Sequence, residues 1–131
     1  MTKKIAVLVG SGSQTSISQI VAHHLAKVAP AGLTFNFVQI ADLPLYDRDS
    51  DNLEIASYQR FRAEIAASDA VLLITPEHNA SFSAMIKNAI DIGSRPMGQS
   101  LWIGKPAGIV SIGAGAAGGV RAADQLRTVC S

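Results

Sequence analysis

The sequence predicts an α/β domain built on an open parallel sheet, and three observations carry that prediction. Two uninterrupted apolar runs, Ile5 to Val9 and Ala70 to Ile74, lack the alternation of a half-wet strand and read as strands covered on both faces. Each run ends in a polar or glycine-rich loop. Each loop then gives way to an amphipathic helical stretch, so the chain reads strand, loop, helix, as βα units do.

Taken in order, the first strand ends at Gly10-Ser11-Gly12-Ser13-Gln14-Thr15-Ser16, and Ile17, Ile20, Val21, Leu25 and Val28 then recur at helical spacing. Thr15 or Ser16 can supply the N-cap oxygen, and Pro30 and Gly32 stop the helix. Backbone N–H groups and the positive end of that helix converge with several hydroxyls, which makes the loop an anion site. Gly10 and Gly12 fit G-x-G, but Thr15 takes the place of a third glycine and no Gly-Lys-Ser/Thr follows, so neither a full dinucleotide fingerprint nor a Walker A loop is present. A structural turn with capping hydroxyls is the competing reading.

Phe35 and Phe37, extended toward Ile40, form a second strand nearer an edge. Asp42-Leu43-Pro44-Leu45-Tyr46-Asp47 is a loop on its proline and aspartates. From about Asn52 to Ala67 a helix turns Ile55, Tyr58, Phe61 and Ile65 inward, with Arg62 on that face by its aliphatic stem. Glu54, Gln59 and Arg60 should be solvated.

The third strand should end before Pro76, which lacks a ladder donor, and leave as the loop Thr75-Pro76-Glu77-His78-Asn79. A helix beginning near Phe82 carries Met85, Ile86, Ala89 and Ile90 on one face, with Lys87 and Asp91 four apart on another. After the loop Gly93 to Gly98, Ala107 to Val110 form a fourth strand. The glycine- and alanine-rich stretch Ser111 to Gly119 has few side chains to pack, which points to close approach of backbone to a ligand rather than to a flexible linker. Helical periodicity resumes from Val120 to Val129.

Composition bounds the function. The 131 residues make one domain, and 48% hydrophobic content supports a sizeable core. A net charge of +1 with no basic stripe speaks against nucleic acid. Five or six apolar residues after Met-Thr-Lys-Lys are too few for a signal core or a membrane span, so a cytoplasmic protein with no membrane partner is expected. Cys130 is the single cysteine, and His23 and His24 point apart on their helix, so no metal site is expected.

Thr75-Pro76-Glu77-His78-Asn79 with Lys87-Asn88-Ala89-Ile90-Asp91 resembles the T-P-E-Y-N and L-K-N-A-I-D signature of the NADPH-dependent FMN reductase family, a flavodoxin-like group that includes quinone, chromate and azo-dye reductases. Asp42 to Asp47 is similar to that family's L-P-L-Y-D, Gly104-Lys105-Pro106 to its Gly-Lys-Pro, and Gly118-Gly119-x-Arg121 to its third flavin loop. The resemblance implies a three-layer sandwich with a parallel sheet in the order 2-1-3-4.

The same resemblance implies FMN as cofactor and NADPH, or NADH, as donor. The phosphate would lie at Ser11, Ser13, Ser16, Ile17 and Ser18, in the loop that corresponds to the family's G-S-x-R-x-x-S-x-N, of which Gly10, Ser11 and Ser16 match. Pro76, Glu77, His78 and Asn79 would line the isoalloxazine, largely through backbone groups, and Ser111, Gly113, Ala114 and Gly115 would close the other side. No side chain is expected to act as a catalytic nucleophile: hydride would pass to the flavin and then to a small acceptor, a quinone, azo or nitro compound, metal oxyanion or free flavin, by ping-pong kinetics.

Several positions depart from the family pattern. Ser13 and Ser18 stand where Arg and Asn are usual, and a charge-assisted contact contributes roughly 1.5–3 kcal/mol against 0.5–1.5 for a neutral one, so FMN should bind more weakly than the pattern implies. His78 replaces Tyr, adding a group that can protonate; Ser83 and Ala84 replace Pro-Gly. The family generally forms dimers or tetramers, and Phe82, Met85 and Trp102 suggest the surface. A fifth strand and helix have no counterpart here. The expectation is therefore a C-terminally truncated domain over 1–131, or a chain whose last strand borrows an edge. A flavin-binding electron carrier and a truncated domain without cofactor are the alternatives; the neutral charge speaks against an acidic carrier.

Overall fold

In the computed structural model, which describes residues 1–131, the two apolar runs become the two inner strands of a four-stranded sheet. β1 (Lys3–Val9) pairs with β2 (Leu33–Phe37) on one side and β3 (Ala70–Pro76) on the other, and β3 pairs with β4 (Ala107–Ile112). All three pairings are parallel and the order is β2-β1-β3-β4. Ala6, Val7 and Leu8 are wholly buried, whereas β4 at the sheet's end is half-buried from Ile109 to Ile112 and exposed at Ala107 and Gly108.

Helices cover the sheet unequally, as right-handed crossovers require. α1 (Ile17–Val28) packs alone on one face, with Ala22 and Leu25 against Val7, Val9 and Ile74. On the other face, α2 (Ala56–Ala66), α3 (Ala84–Gly93) and α4 (Val120–Cys130) close over Ala6, Leu8, Val71 and Leu73. Phe61, Ile65, Ile86, Ala89 and Leu126 are fully buried in that second cluster.

Three expectations need correction. The helix predicted from Asn52 begins instead at Ala56, because Asp47 caps a separate 3-10 turn over Arg48–Asn52 through its carboxylate and the Asp49 N–H at 2.8 Å. β3 runs through Pro76. Val71 N–H and Glu77 N–H both donate toward β4, so by the two-residue period Pro76's nitrogen faces the β1 side, beyond Val9, where no acceptor is lost. Arg60 is not simply solvated: it pairs with Asp42 and Glu64, both at 2.9 Å. Trp102 is half-buried, packing on Phe61 and Gly93 and donating its ring N–H to Ile90 O at 2.8 Å.

Lys105 of the Gly-Lys-Pro stretch donates Nζ to the carbonyls of Ile65 and Ser68 at 2.8 and 2.5 Å, placing a cation at the carboxyl end of α2, where the helix dipole favours it. The start of β4 is thereby tied to α2.

Candidate functional site: three loops at the carboxyl edge of the sheet

Parallel strands end on one edge, and the loops after β1, β3 and β4 meet there. Gly10 N–H donates to Ile74 O at 2.7 Å and Glu77 N–H to Ile112 O at 3.0 Å, so each loop starts hydrogen-bonded to the next strand. Gly10 is required by contact: a Cβ there would collide with Ser83 Oγ and lie 2.8 Å from Ile86 Cγ1. The first loop therefore lies directly on the start of α3.

Ser16 caps α1, accepting from Gln19 N–H at 3.1 Å. Gln19 in turn donates its side-chain amide to Ser11 O at 2.8 Å, drawing the loop's beginning onto its end. Sequence reasoning missed Gln19, although Ser16-x-x-Gln19 has capping-box spacing. Ser13 and Thr15 hydroxyls lie 3.1 Å apart. Ser11, Gly12, Gln14, Ile17 and Ser18 keep their backbone N–H groups without a protein acceptor, and the first turn of α1 carries no acidic residue. Such a donor set suits a dianionic phosphate. Ser18 is 2% exposed, while Ile17 beside it is largely exposed.

The loop after β3 is shaped by Thr75, wholly buried, whose hydroxyl donates to Pro76 O at 2.8 Å and accepts from Ser83 N–H at 3.0 Å. Ser83 Oγ beside it is buried without a partner. Between them His78 and Ser81 exchange backbone hydrogen bonds of 2.8 and 3.0 Å across Asn79 and Ala80, whose φ angles are 50° and 64°. That is a two-residue turn of the type that favours Asn-Gly. Asn79 fits; Ala80 bears a left-handed strain of about 1–2 kcal/mol. His78 and Asn79 are exposed at the turn.

Glu77 points away from this turn. Its carboxylate accepts from Arg121 N–H and Ala122 N–H, both at 3.1 Å, and from the Arg121 guanidinium at 3.0 Å. α4 begins at Gly119, which has no capping side chain and a φ of 78°, so Glu77 supplies the missing cap from 44 residues away. Gly119 stacks against Ile112, and Gly113 against Gly119 so closely that a Cβ on Gly113 would lie 2.7 Å from its nitrogen. Ser111 Oγ donates to Gly118 O at 2.9 Å. Ala114 and Gly115 project as exposed backbone.

The hydrogen bond from Ala122 N–H, then the Arg121 guanidinium, hold the Glu77 carboxyl below its usual range. A depressed carboxylate stabilises the fold above its unfolded pKa of about 4.3, and that contribution is lost as pH falls through the lower folded value. The urea midpoint should therefore hold from pH 7 to about 5 and drop below. In Glu77→Gln the acid-side drop should be shallower. An identical pH profile in the variant would show that the Glu77 carboxylate is not what holds α4.

Residues 3–131 match the family described as NADPH-dependent FMN reductase. The chain belongs to that family. Among NADPH-dependent FMN reductase relatives, it is 48% identical over 124 residues to a quinone reductase of Pseudomonas putida, covering 94% of this chain and 67% of that one. It is 47% identical over 133 residues to a 2-hydroxy-1,4-benzoquinone reductase of a Burkholderia species, covering 100% and 72%. The flavoenzyme NAD(P)H:(acceptor) oxidoreductase FerB of Paracoccus denitrificans superimposes with a TM-score of 0.94 at 40% identity, over 98% of this chain and 71% of that one. As an NADPH-dependent FMN reductase the chain is an oxidoreductase, with FMN as cofactor and NAD(P)H as donor. No helix is long and apolar enough to cross a membrane, and no group of three or more His, Cys, Asp or Glu is placed to hold a metal.

Proposed function

We propose that this NADPH-dependent FMN reductase reduces quinones, binding FMN across the three loops. The observation that carries the flavin assignment is the phosphate loop itself: five free N–H donors at and before the first turn of α1, hydroxyls of Ser11, Ser13 and Ser16 about them, and no carboxylate in the turn. Quinone as acceptor rests on the two relatives named for that activity. When bound, FMN would supply the two-electron redox chemistry that links NAD(P)H to the acceptor.

The protein's own contribution is binding and exclusion. Backbone of Pro76 to Asn79 and of Ser111 to Gly115 forms two walls, tied together by the Glu77 N–H to Ile112 O bond. With serine at 13 and 18, the phosphate is met by neutral donors only, so affinity depends on helix dipole and hydroxyls. His78, exposed at the turn, would meet the acceptor with a ring able to donate a proton.

Self-association belongs to this proposal. Leu45, Leu53 and Met97 are exposed around a crevice lined by Tyr46, Leu53 and Pro96, and offer apolar surface for it. A cytoplasmic location follows from the need for a nicotinamide donor, and the domain is read as a single FMN-binding unit over 1–131.

Flavin fluorescence titration tests the reading. Ser16→Ala should weaken FMN by about 0.5–1.5 kcal/mol, the worth of one hydrogen bond lost from the cap or the phosphate. Protein that stays colourless with excess FMN would remove the flavin, and with it the quinone, from the proposal.

A further inference from the structure

The turn that carries His78 is gripped from outside the site. Gln125, on α4, donates its amide nitrogen to Ala80 O at 2.9 Å, and its amide oxygen accepts from Ser81 Oγ at 2.6 Å. The orientation of the carboxamide is fixed by its partners, because a carbonyl can only accept. Both bonds land on the turn's second half, where Ala80 occupies a left-handed conformation that glycine would adopt freely. One helical turn earlier, Glu77 clamps the beginning of the same loop to α4 at Arg121 and Ala122. α4 is itself anchored to the core by the fully buried Ala122 and Leu126, which flank Gln125 in the helix. The turn thus has a rigid support and an unfavourable backbone at its tip. A free loop would relax away from that conformation.

We infer that Gln125 is a positioning residue for the flavin site, holding the His78–Ser81 turn in the strained conformation that presents the isoalloxazine wall. The inference rests on the assignment of this turn to FMN. Both hydrogen bonds of the Gln125 side chain go to the turn, so it acts through the turn. Ala80 and Gln125 are energetically coupled: the grip matters because the residue at position 80 is not glycine.

Gln125→Met keeps helix propensity and length while removing both hydrogen bonds. In the FMN-free protein, hydrogen exchange at the His78 and Ser81 amides, which bond to each other across the turn, should speed by about tenfold in this variant. The FMN dissociation constant by fluorescence quenching should rise about tenfold, while the urea midpoint of the chain stays within experimental error, since α4 remains seated by Ala122 and Leu126. In an Ala80→Gly background the same substitution should raise the dissociation constant threefold at most, because glycine holds the turn unaided. Unchanged exchange at His78 and Ser81 overturns the grip. Faster exchange with unchanged FMN affinity overturns its role in the site, as does an equal effect in both backgrounds. If the parent protein binds no FMN, the flavin reading fails on its own, and exchange in the two backgrounds still decides whether Gln125 holds the turn.

Discussion

Gly10→Val should raise the FMN dissociation constant at least tenfold and lower stability by about 1–3 kcal/mol. The first atom added at position 10 collides with Ser83 Oγ, stands 2.8 Å from Ile86 Cγ1 and 3.3 Å from Ile74 O, so three neighbours on β3 and α3 oppose it at once. Overpacking of that kind moves backbone. The two segments forced apart, the phosphate loop and the start of α3, both border the site, and a misplacement of about 1 Å there can cost as much as a hundredfold. Gly10→Ala with Ser83→Ala should recover part of the loss, because the colliding hydroxyl is gone and Ser83 Oγ forfeits no hydrogen bond. Urea unfolding and flavin titration on the same samples would decide it. Parent-like values in Gly10→Val would mean that the loop does not rest on α3.

Arg62→Met should lower the free energy of unfolding by about 2–4 kcal/mol. The stem of Arg62 lies half-buried on α2, and its guanidinium reaches across to the carboxyl end of α3, donating to Ile92 O at 3.1 Å, Gly93 O at 3.2 Å, Gln99 O at 2.8 Å and also to Arg95 O. Ile92 O and Gly93 O already accept from Arg95 N–H and Leu101 N–H, so the guanidinium adds a second hydrogen bond to each and, as a cation at the helix's carboxyl end, complements the dipole. Burial pulls the Arg62 guanidinium below its ordinary pKa, yet it stays charged at any physiological pH. Methionine keeps the stem and abandons four acceptors, each hydrogen bond to a charged group contributing about 1.5–3 kcal/mol before water takes some of the exposed ones back. Lysine, a point charge, should recover less than half. A urea midpoint in Arg62→Met equal to the parent would refute the role.

Arg62 also shows where sequence reading stops. Its periodicity on α2 placed the stem on the inner face correctly, but the guanidinium's targets lie 30 to 37 residues away on another element. Glu77 is the same case: the motif put it in the loop, while its side chain serves a helix 44 residues further on. Apolar runs are local signals, which is why β1 and β3 were legible; the order of the sheet came from the family resemblance. The extension of β3 through Pro76 was not, because it depends on β1 ending at Val9, opposite Ile74, two residues before β3 does. The start of α2 was misplaced by four residues because Asp47 makes its own capped turn first. Nothing in the sequence says that Gly93 leaves room for the indole of Trp102. The loops of the candidate site were visible as glycine and hydroxyl clusters; of the side chains that hold them, Gln19 and Thr75 act on partners within eight residues, whereas Gln125 reaches Ala80 and Ser81 only through the fold.

The pairing of β1 with β3 has a consequence for how the chain folds. Lys4 and Asp69 are joined twice, Lys4 N–H to the Asp69 carboxylate and Asp69 N–H to Lys4 O, both at 2.8 Å, although they stand 65 positions apart in the chain. No strand pairs with a sequence neighbour through a tight hairpin, so every ladder in the sheet closes a long loop before it gains anything, and such topologies fold slowly. The edge where the three loops meet exists only after the last of those closures. A ligand spanning that edge can find its site only once folding is complete, so it slows the unfolding of the assembled protein and leaves the rate of assembly untouched.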